Sequence, residues 1–217
     1  MRGLGRVVMT VVAALTVLLI GSVTAQQTGT FTDRRDGQKY KTVKIGGQTW
    51  MAENLNYQTS SGSWCYDNKS SNCDKYGRLY DRKTAKTVCP AGWYLPSVAE
   101  WDNLASAVGG TRKKYKSDNT GKEWFGWAGA STKLKARSDW NNNGNGTDDF
   151  GFSALPGGYR GSDGNFYHAG DDGSWWTATE YDAGNAYYRS MIYNHDFVFE
   201  YYNVKRLGLS VRCVADT

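Results

Sequence analysis

The stretch CPAGWYLPSVAEWDNL, residues 89–104, decides how this chain is read. Ser97 stands just ahead of an apolar-periodic run, and Glu100 follows three positions later. That pair is a capping box, in which each side chain satisfies an N–H that the first helical turn leaves open. Val98, Trp101, Leu104, Ala105 and Val108 recur at helical spacing. They predict an amphipathic helix that turns Trp101 and Leu104 into a core. Gly109-Gly110 ends it, because glycine accepts the left-handed backbone found at helix C-termini.

Toward the N-terminus, residues 40–45 and 48–53 flank Gly46-Gly47. The dipeptide supplies the positive φ of a two-residue hairpin turn. Residues 26–39 are polar and read as a loose tail. Residues 58–72, rich in Ser, Asn and Gly, read as loop. Toward the C-terminus, residues 111–149 read as a long irregular region holding Trp124, Phe125 and Trp127, with Arg112-Lys113-Lys114 as solvated loop. The last third is strand-like over 186–193, 197–204 and 208–214, with connections at Asn194-His195-Asp196 and Lys205-Arg206-Leu207. Alternation along the last candidate places Leu209, Val211 and Cys213 inward and Ser210 and Arg212 outward. No tandem repeat and no second domain is visible.

The first 25 residues read as an export signal. Arg2 and Arg6 precede an apolar run over 7–20, and small residues end at Val23-Thr24-Ala25. The run is too short for a comfortable membrane span. The expected location is therefore secreted or extracellular at the cell surface, with the periplasm as a further compartment. The formal charge of +5 includes the two leader arginines, leaving +3 on the rest. Such a mixed surface lacks the basic stripe that nucleic-acid binding needs.

Four cysteines, Cys65, Cys73, Cys89 and Cys213, in an oxidising compartment read as two disulfides. Three pairings are open, and spacing alone does not choose among them. The simplest is a local Cys65–Cys73 clip with a long-range Cys89–Cys213 staple. Zinc is the rival reading, weakened by the lack of a C-x-x-C pair and by two histidines, His168 and His195, far from the cysteines in sequence.

Four segments then occur in order: CPAGWYLPSVAEWDNL at 89–104, GFSALPGGYR at 151–160, WWTATE at 175–180 and SVRCV at 210–214. Together they closely resemble the Fibrobacter succinogenes major paralogous domain over residues 40–217. The resemblance implies an α+β, C-type-lectin-like fold: mixed short strands, one or two helices and a long loop region that carries the binding surface. It also implies that the cysteine ahead of the helix bonds one in the last strand, which selects Cys89–Cys213.

From Tyr159 to Tyr202, thirteen of forty-four residues are Phe, Tyr or Trp. Adjacent pairs such as Tyr187-Tyr188 and Tyr201-Tyr202 place one ring on each side of a strand, so one of each pair is a candidate for solvent. Tyr and Trp suit stacking on sugars or on a protein partner. The ligand-binding candidates are Trp175, Trp176, Tyr181, Tyr187, Tyr188, Arg189, Tyr193, Asn194, His195, Asp196, Tyr201 and Tyr202.

A second candidate spans 139–149. Asp139, Asn141 and Asn143 alternate ahead of Gly144, as at the opening of a calcium loop, with Asn145, Asp148 and Asp149 as further oxygens. The position of the closing bidentate Glu holds Phe150. The Glu-Pro-Asn and Gln-Pro-Asp tripeptides of calcium-dependent sugar-binding lectins are absent, so any calcium here reads as a structural ion, and the rival reading is an ordinary metal-free Asn/Gly turn. No nucleophile elbow or metal-binding His pair is present. The related formylglycine-generating oxidases share the broad fold and use reactive cysteines, so an enzyme of that type stands as a third alternative, set against the reading of all four cysteines here as disulfides. The expectation is a non-catalytic module whose partner is a glycan or polysaccharide, or else a surface or envelope protein.

Overall fold

The computed structural model describes residues 27–116 and 121–216, so the predicted leader lies outside the described residues. The chain opens with strands β1 (Thr28–Thr32), β2 (Lys39–Ile45), β3 (Gln48–Met51) and β4 (Ser63–Trp64). A 3-10 turn at Tyr66–Asn68, helix α1 (Ser70–Tyr76), β5 (Leu79–Tyr80), α2 (Arg82–Ala85), β6 (Trp93–Tyr94) and α3 (Val98–Ala107) follow. The middle holds β7 (Thr111–Lys116), β8 (Glu123–Ala128) and α4 (Ala130–Leu134). The last part is all strand: β9 (Gly157–Arg160), β10 (Phe166–Ala169), β11 (Asp172–Glu180), β12 (Asn185–Ile192), β13 (Val198–Val204), β14 (Leu209–Ser210) and β15 (Val214–Ala215).

These form two sheets. The smaller runs β1-β2-β3-β15-β6, and the larger runs β4-β5-β14-β11-β12-β13-β8-β7, with the β9–β10 hairpin joined to β11. The architecture is mixed α+β, dominated by strands. The predicted helix is α3: the Ser97 hydroxyl accepts from the Glu100 amide, the Glu100 carboxylate accepts from the Ser97 amide at 2.5 Å, and Gly109 takes φ +78. Trp101, Leu104 and Ala105 are buried. The predicted hairpin is β2–β3, with Ile45 opposite Gln48 and φ of +59 and +84 at Gly46 and Gly47.

Three expectations need correction. Within residues 26–39, Thr28–Thr32 is an edge strand paired with β2 rather than tail. Residues 58–72 contain β4, the 3-10 turn and the start of α1. The region 111–149 holds the β7–β8 hairpin, whose first strand carries Arg112, Lys113, Lys114 and Lys116. Its pattern is polar on both faces, so hydrophobic periodicity is silent there. Lysine on an edge strand also discourages pairing with another chain.

β11 is the axis of the molecule. By period two its neighbours Trp175 and Trp176 point to opposite faces, and both are fully buried. Trp175 packs with Trp50, Trp101, Phe152 and Val198, while Trp176 packs with Tyr80, Leu95, Leu209 and Val211. Each indole N–H has a partner, Asn54 Oδ1 for Trp175 and the Tyr80 carbonyl for Trp176, both at 2.8 Å. The burial of such side chains contributes about 2–3 kcal/mol each.

The predicted strand 208–214 is split. Its first half pairs in the larger sheet and its last half in the smaller, so residues between cross from one to the other. The inward–outward alternation therefore fails: Ser210 and Arg212 are as buried as Leu209 and Val211. Arg212 donates to Asn54 Oδ1 from Nε (3.1 Å) and Nη2 (2.8 Å), donates to the Phe152 carbonyl, and lies 4.3 Å over the Phe152 ring. Burial pushes its pKa down to about 9. Cys65–Cys73 and Cys89–Cys213 are both formed, and no free cysteine remains among the described residues. The second ties the approach to α3 to the crossing segment.

Candidate functional site

β11, β12 and β13 are antiparallel neighbours, and their register sorts the tyrosines within the strands. Tyr187 faces Tyr202, Arg189 faces Glu200, and Glu200 faces Phe125 on β8, so these share one side of the sheet. Tyr188 and Tyr201 face each other on the other side. The expected division of the two Tyr-Tyr pairs therefore holds.

On the first side α3 covers one end and leaves the other open. A break in register between Trp176 and Glu180 turns the end of β11 toward the helix start, where the Pro96 carbonyl accepts from Ala178 and Thr179 Oγ1 accepts from Val98. Beyond that bulge Asp182 accepts from the amides of Gly184 and Asn185, closing the turn into β12. The turn lays Tyr181 flat on Tyr202, with ring centroids 3.7 Å apart and planes 5° apart, and Tyr187 meets Tyr181 edge-on at 5.4 Å. Tyr181 and Tyr202 are 45% and 43% exposed, and Phe125 is 44% exposed. Together they form a tyrosine shelf beside a cleft of about 380 Å³ lined by Glu123, Trp124, Phe125, Tyr187, Glu200 and Tyr202. Burial raises the Glu200 pKa, but Arg189 and Arg112 outweigh it and hold the group below its ordinary value. A hydrogen bond with Tyr202 raises the Tyr181 phenol.

The remaining candidates are not brought together. Trp175 and Trp176 are core residues, as above. Arg189 is fully buried and donates to Asp102 at 2.7 Å and Glu200 at 2.8 Å, so it cannot reach a ligand. Tyr193 packs against the first core. Asn194, His195 and Asp196 form the turn at the far end of β12, about 20 Å from Tyr187 along the strand. There His195 is edge-on to Tyr115 at 5.2 Å and to Phe199 at 5.4 Å. The cleft residues Trp124 and Phe125 are the functional candidates that lay inside the region read as irregular. Their signal was a short aromatic strand, Glu123–Ala128, opposite a polar one.

A loop of 139–149 that gathers oxygens for calcium is likewise not what the fold builds. Asp139 pairs with Lys75 at 2.5 Å, Asn141 donates to Asp171, Asn145 accepts from the Trp140 amide, and Asp148 accepts twice from Ser153. Among the described residues no three acidic, His or Cys groups converge on a point. A lysine ammonium organises this corner instead. Lys135, only 2% exposed, donates to the carbonyls of Ile192 (2.6 Å), His195 (3.0 Å) and Tyr193 (3.1 Å), with that of Gly144 at 3.4 Å. Burial pushes its pKa down to about 8.

A family model, the Fibrobacter succinogenes major domain, matches residues 43–215, from β2 through β15. The chain belongs to this family. No curated protein and no solved structure matches it. In this Fibrobacter succinogenes major domain the matched span contains both disulfide-linked cysteine pairs and every residue of the shelf. No helix among the described residues is long and apolar enough to cross a membrane.

Proposed function

We propose that this domain is an exported, non-catalytic binding module of C-type-lectin-like architecture that engages glycans on the tyrosine shelf. The observation that carries the reading is the coplanar Tyr181–Tyr202 pair, nearly half exposed, beside a cleft with the carboxylates of Glu123 and Glu200. Flat aromatic faces stack on the apolar faces of sugar rings, and carboxylates fix hydroxyls. The lectin-like architecture is supported by the pairing of β3, near the start, with the final strand β15, and by the staple that holds the loops on one frame.

Affinity electrophoresis and pull-down of the full chain on cellulose, xylan and chitin test this. Retention of the parent and its loss in Tyr202→Ala and Phe125→Ala are the expected outcome. A folded parent retained by none of these polysaccharides, but captured by a defined envelope protein through the same residues, would transfer the shelf to protein recognition.

A further inference from the structure

The side of β11–β13 opposite the shelf is not level. Ser174 and Ser190 stand opposite each other, Oγ to Oγ 3.3 Å. Two such short side chains leave a dent between larger neighbours. Tyr188 and Tyr201, 5.7 Å apart, bound it on one flank. Tyr159 of β9 and Leu207 bound it on others, and Asp172 stands at its end, giving a cavity of about 180 Å³. That is ample for a headgroup of a few heavy atoms.

Asp172 is the unusual member. Its side chain is 21% exposed, and among the described residues the one basic side chain within 4 Å is that of His168, with Nδ1 at 3.9 Å. This is too long for a hydrogen bond. No Lys or Arg lines the cavity. The imidazole of His168 lies parallel to the Tyr159 ring, 5.6 Å away and 12° off plane. It is held there by a backbone with φ 64, in the left-handed region that costs a non-glycine residue energy. An underpaired carboxylate among rings is a burden for folding alone. The same arrangement complements a positive charge, because tyrosine faces are electronegative.

The geometry points to a binding site for a small organic ammonium ion, with its charge against the Asp172 carboxylate and between Tyr159, Tyr188 and Tyr201, and its polar substituents toward Ser174, Ser190 and Asn203. The site lies across the sheet from the shelf and stands whether or not the shelf binds glycan. A free quaternary amine, a lysine side chain and an amino sugar share this chemistry.

Desolvation pushes the Asp172 pKa up to about 6 against the pull of His168, and Asp171 adds repulsion. The other titratable groups facing it are the phenols of Tyr159, Tyr188 and Tyr201, all raised first by burial. Asp172 is thus ionised at pH 7.5 and mostly protonated at pH 5.

Calorimetric titration of the full chain with choline, N-acetyl-lysine methylamide and glucosamine tests the site, each against a neutral counterpart: 3,3-dimethylbutanol, N-acetyl-norleucine methylamide and glucose. The expected result is saturable binding of at least one cation and of no neutral counterpart, about tenfold weaker at pH 5 than at pH 7.5. Asp172→Asn, which keeps the shape, should weaken it about tenfold or more, and Tyr201→Leu several-fold. Asp36→Asn, a distant exposed acid, should leave it unchanged. Which cation binds best separates the three sources. Equal binding of a cation and its neutral counterpart, undiminished binding by Asp172→Asn, or no saturation with any cation up to roughly 100 mM overturns the proposal.

Discussion

Two charges, one fully and one mostly withdrawn from solvent, lie on opposite sides of the same sheet and have opposite fates. Arg189, fully buried, is held by Asp102 at 2.7 Å and Glu200 at 2.8 Å. Asp172, on the other side of the sheet, has a single imidazole at 3.9 Å. The first has its charge answered by two carboxylates within the chain, although its Nε is without a partner, and it fastens α3 to the sheet. The second is left incomplete. Burial of charge is costly unless an opposite charge answers it, so the presence of a close counter-charge separates Arg189 from the group at which the ligand site is proposed. By the same measure the 139–149 loop, which has the look of a metal site, is largely engaged: the oxygens of Asp139, Asn145 and Asp148 are turned to partners and Lys135 fills its corner.

The largest effect comes from breaking the frame that both charges share. Joint replacement Cys89→Ala and Cys213→Ala should cost about 4–5 kcal/mol, since the bridge closes a long loop in the unfolded chain. Denaturant unfolding of the non-reduced protein measures this, and a cost near zero would mean that the staple does not hold the fold. Next is Arg189→Met, which should cost about 2–4 kcal/mol because Asp102 and Glu200 lose their buried partner and keep only the half-exposed Arg112, at 3.3 and 3.5 Å. The cost falls toward the lower value because both carboxylates are partly exposed.

Asp172→Asn should move in the opposite direction. A folded-state pKa of about 6 against an ordinary 3.8 means that ionisation costs the folded protein stability at neutral pH. The full shift corresponds to about 3 kcal/mol, and partial exposure reduces the expected gain to about 1–2 kcal/mol at pH 7. The sign follows from proton binding: between pH 4 and 6 the folded state holds more protons than the unfolded, so wild-type stability falls as pH rises. The gain in Asn should therefore fade as pH drops from about 6 to about 4. A variant less stable than the parent at pH 7 would place Asp172 with Arg189 as a structural charge. The smallest effect belongs to Tyr202→Ala, where a half-exposed ring should cost about 0.5–1 kcal/mol while removing retention on polysaccharide. A larger loss would make the shelf a structural element.

Residues 96–110 were legible because a helix start, its buried stripe and its glycine stop are local signals. Gly46-Gly47 was legible for the same reason. The β7–β8 hairpin was not, since an edge strand of Arg and Lys broken only by Tyr115 has no apolar stripe to announce it. Arg189 and Trp175 were read as ligand-facing because their residue types suit recognition, and nothing local tells which side of a strand another layer will cover.

What the sequence determined by itself was local or compositional: α3 and its caps, the first hairpin, the Tyr-Tyr pairs divided between faces, and membership in a disulfide-bonded domain family. Only the tertiary structure decided which face of each strand meets solvent. Helix α3 lies over Arg189, and the crossing segment 211–213 is enclosed on both sides, so Arg212 is buried against alternation. It also decided that Tyr181 meets Tyr202 across a turn, and that Asp172 ends beside two serines with, among the described residues, no Lys or Arg in its cavity. Such facts depend on contacts between residues far apart in sequence, and a chain's own periodicity carries no record of them.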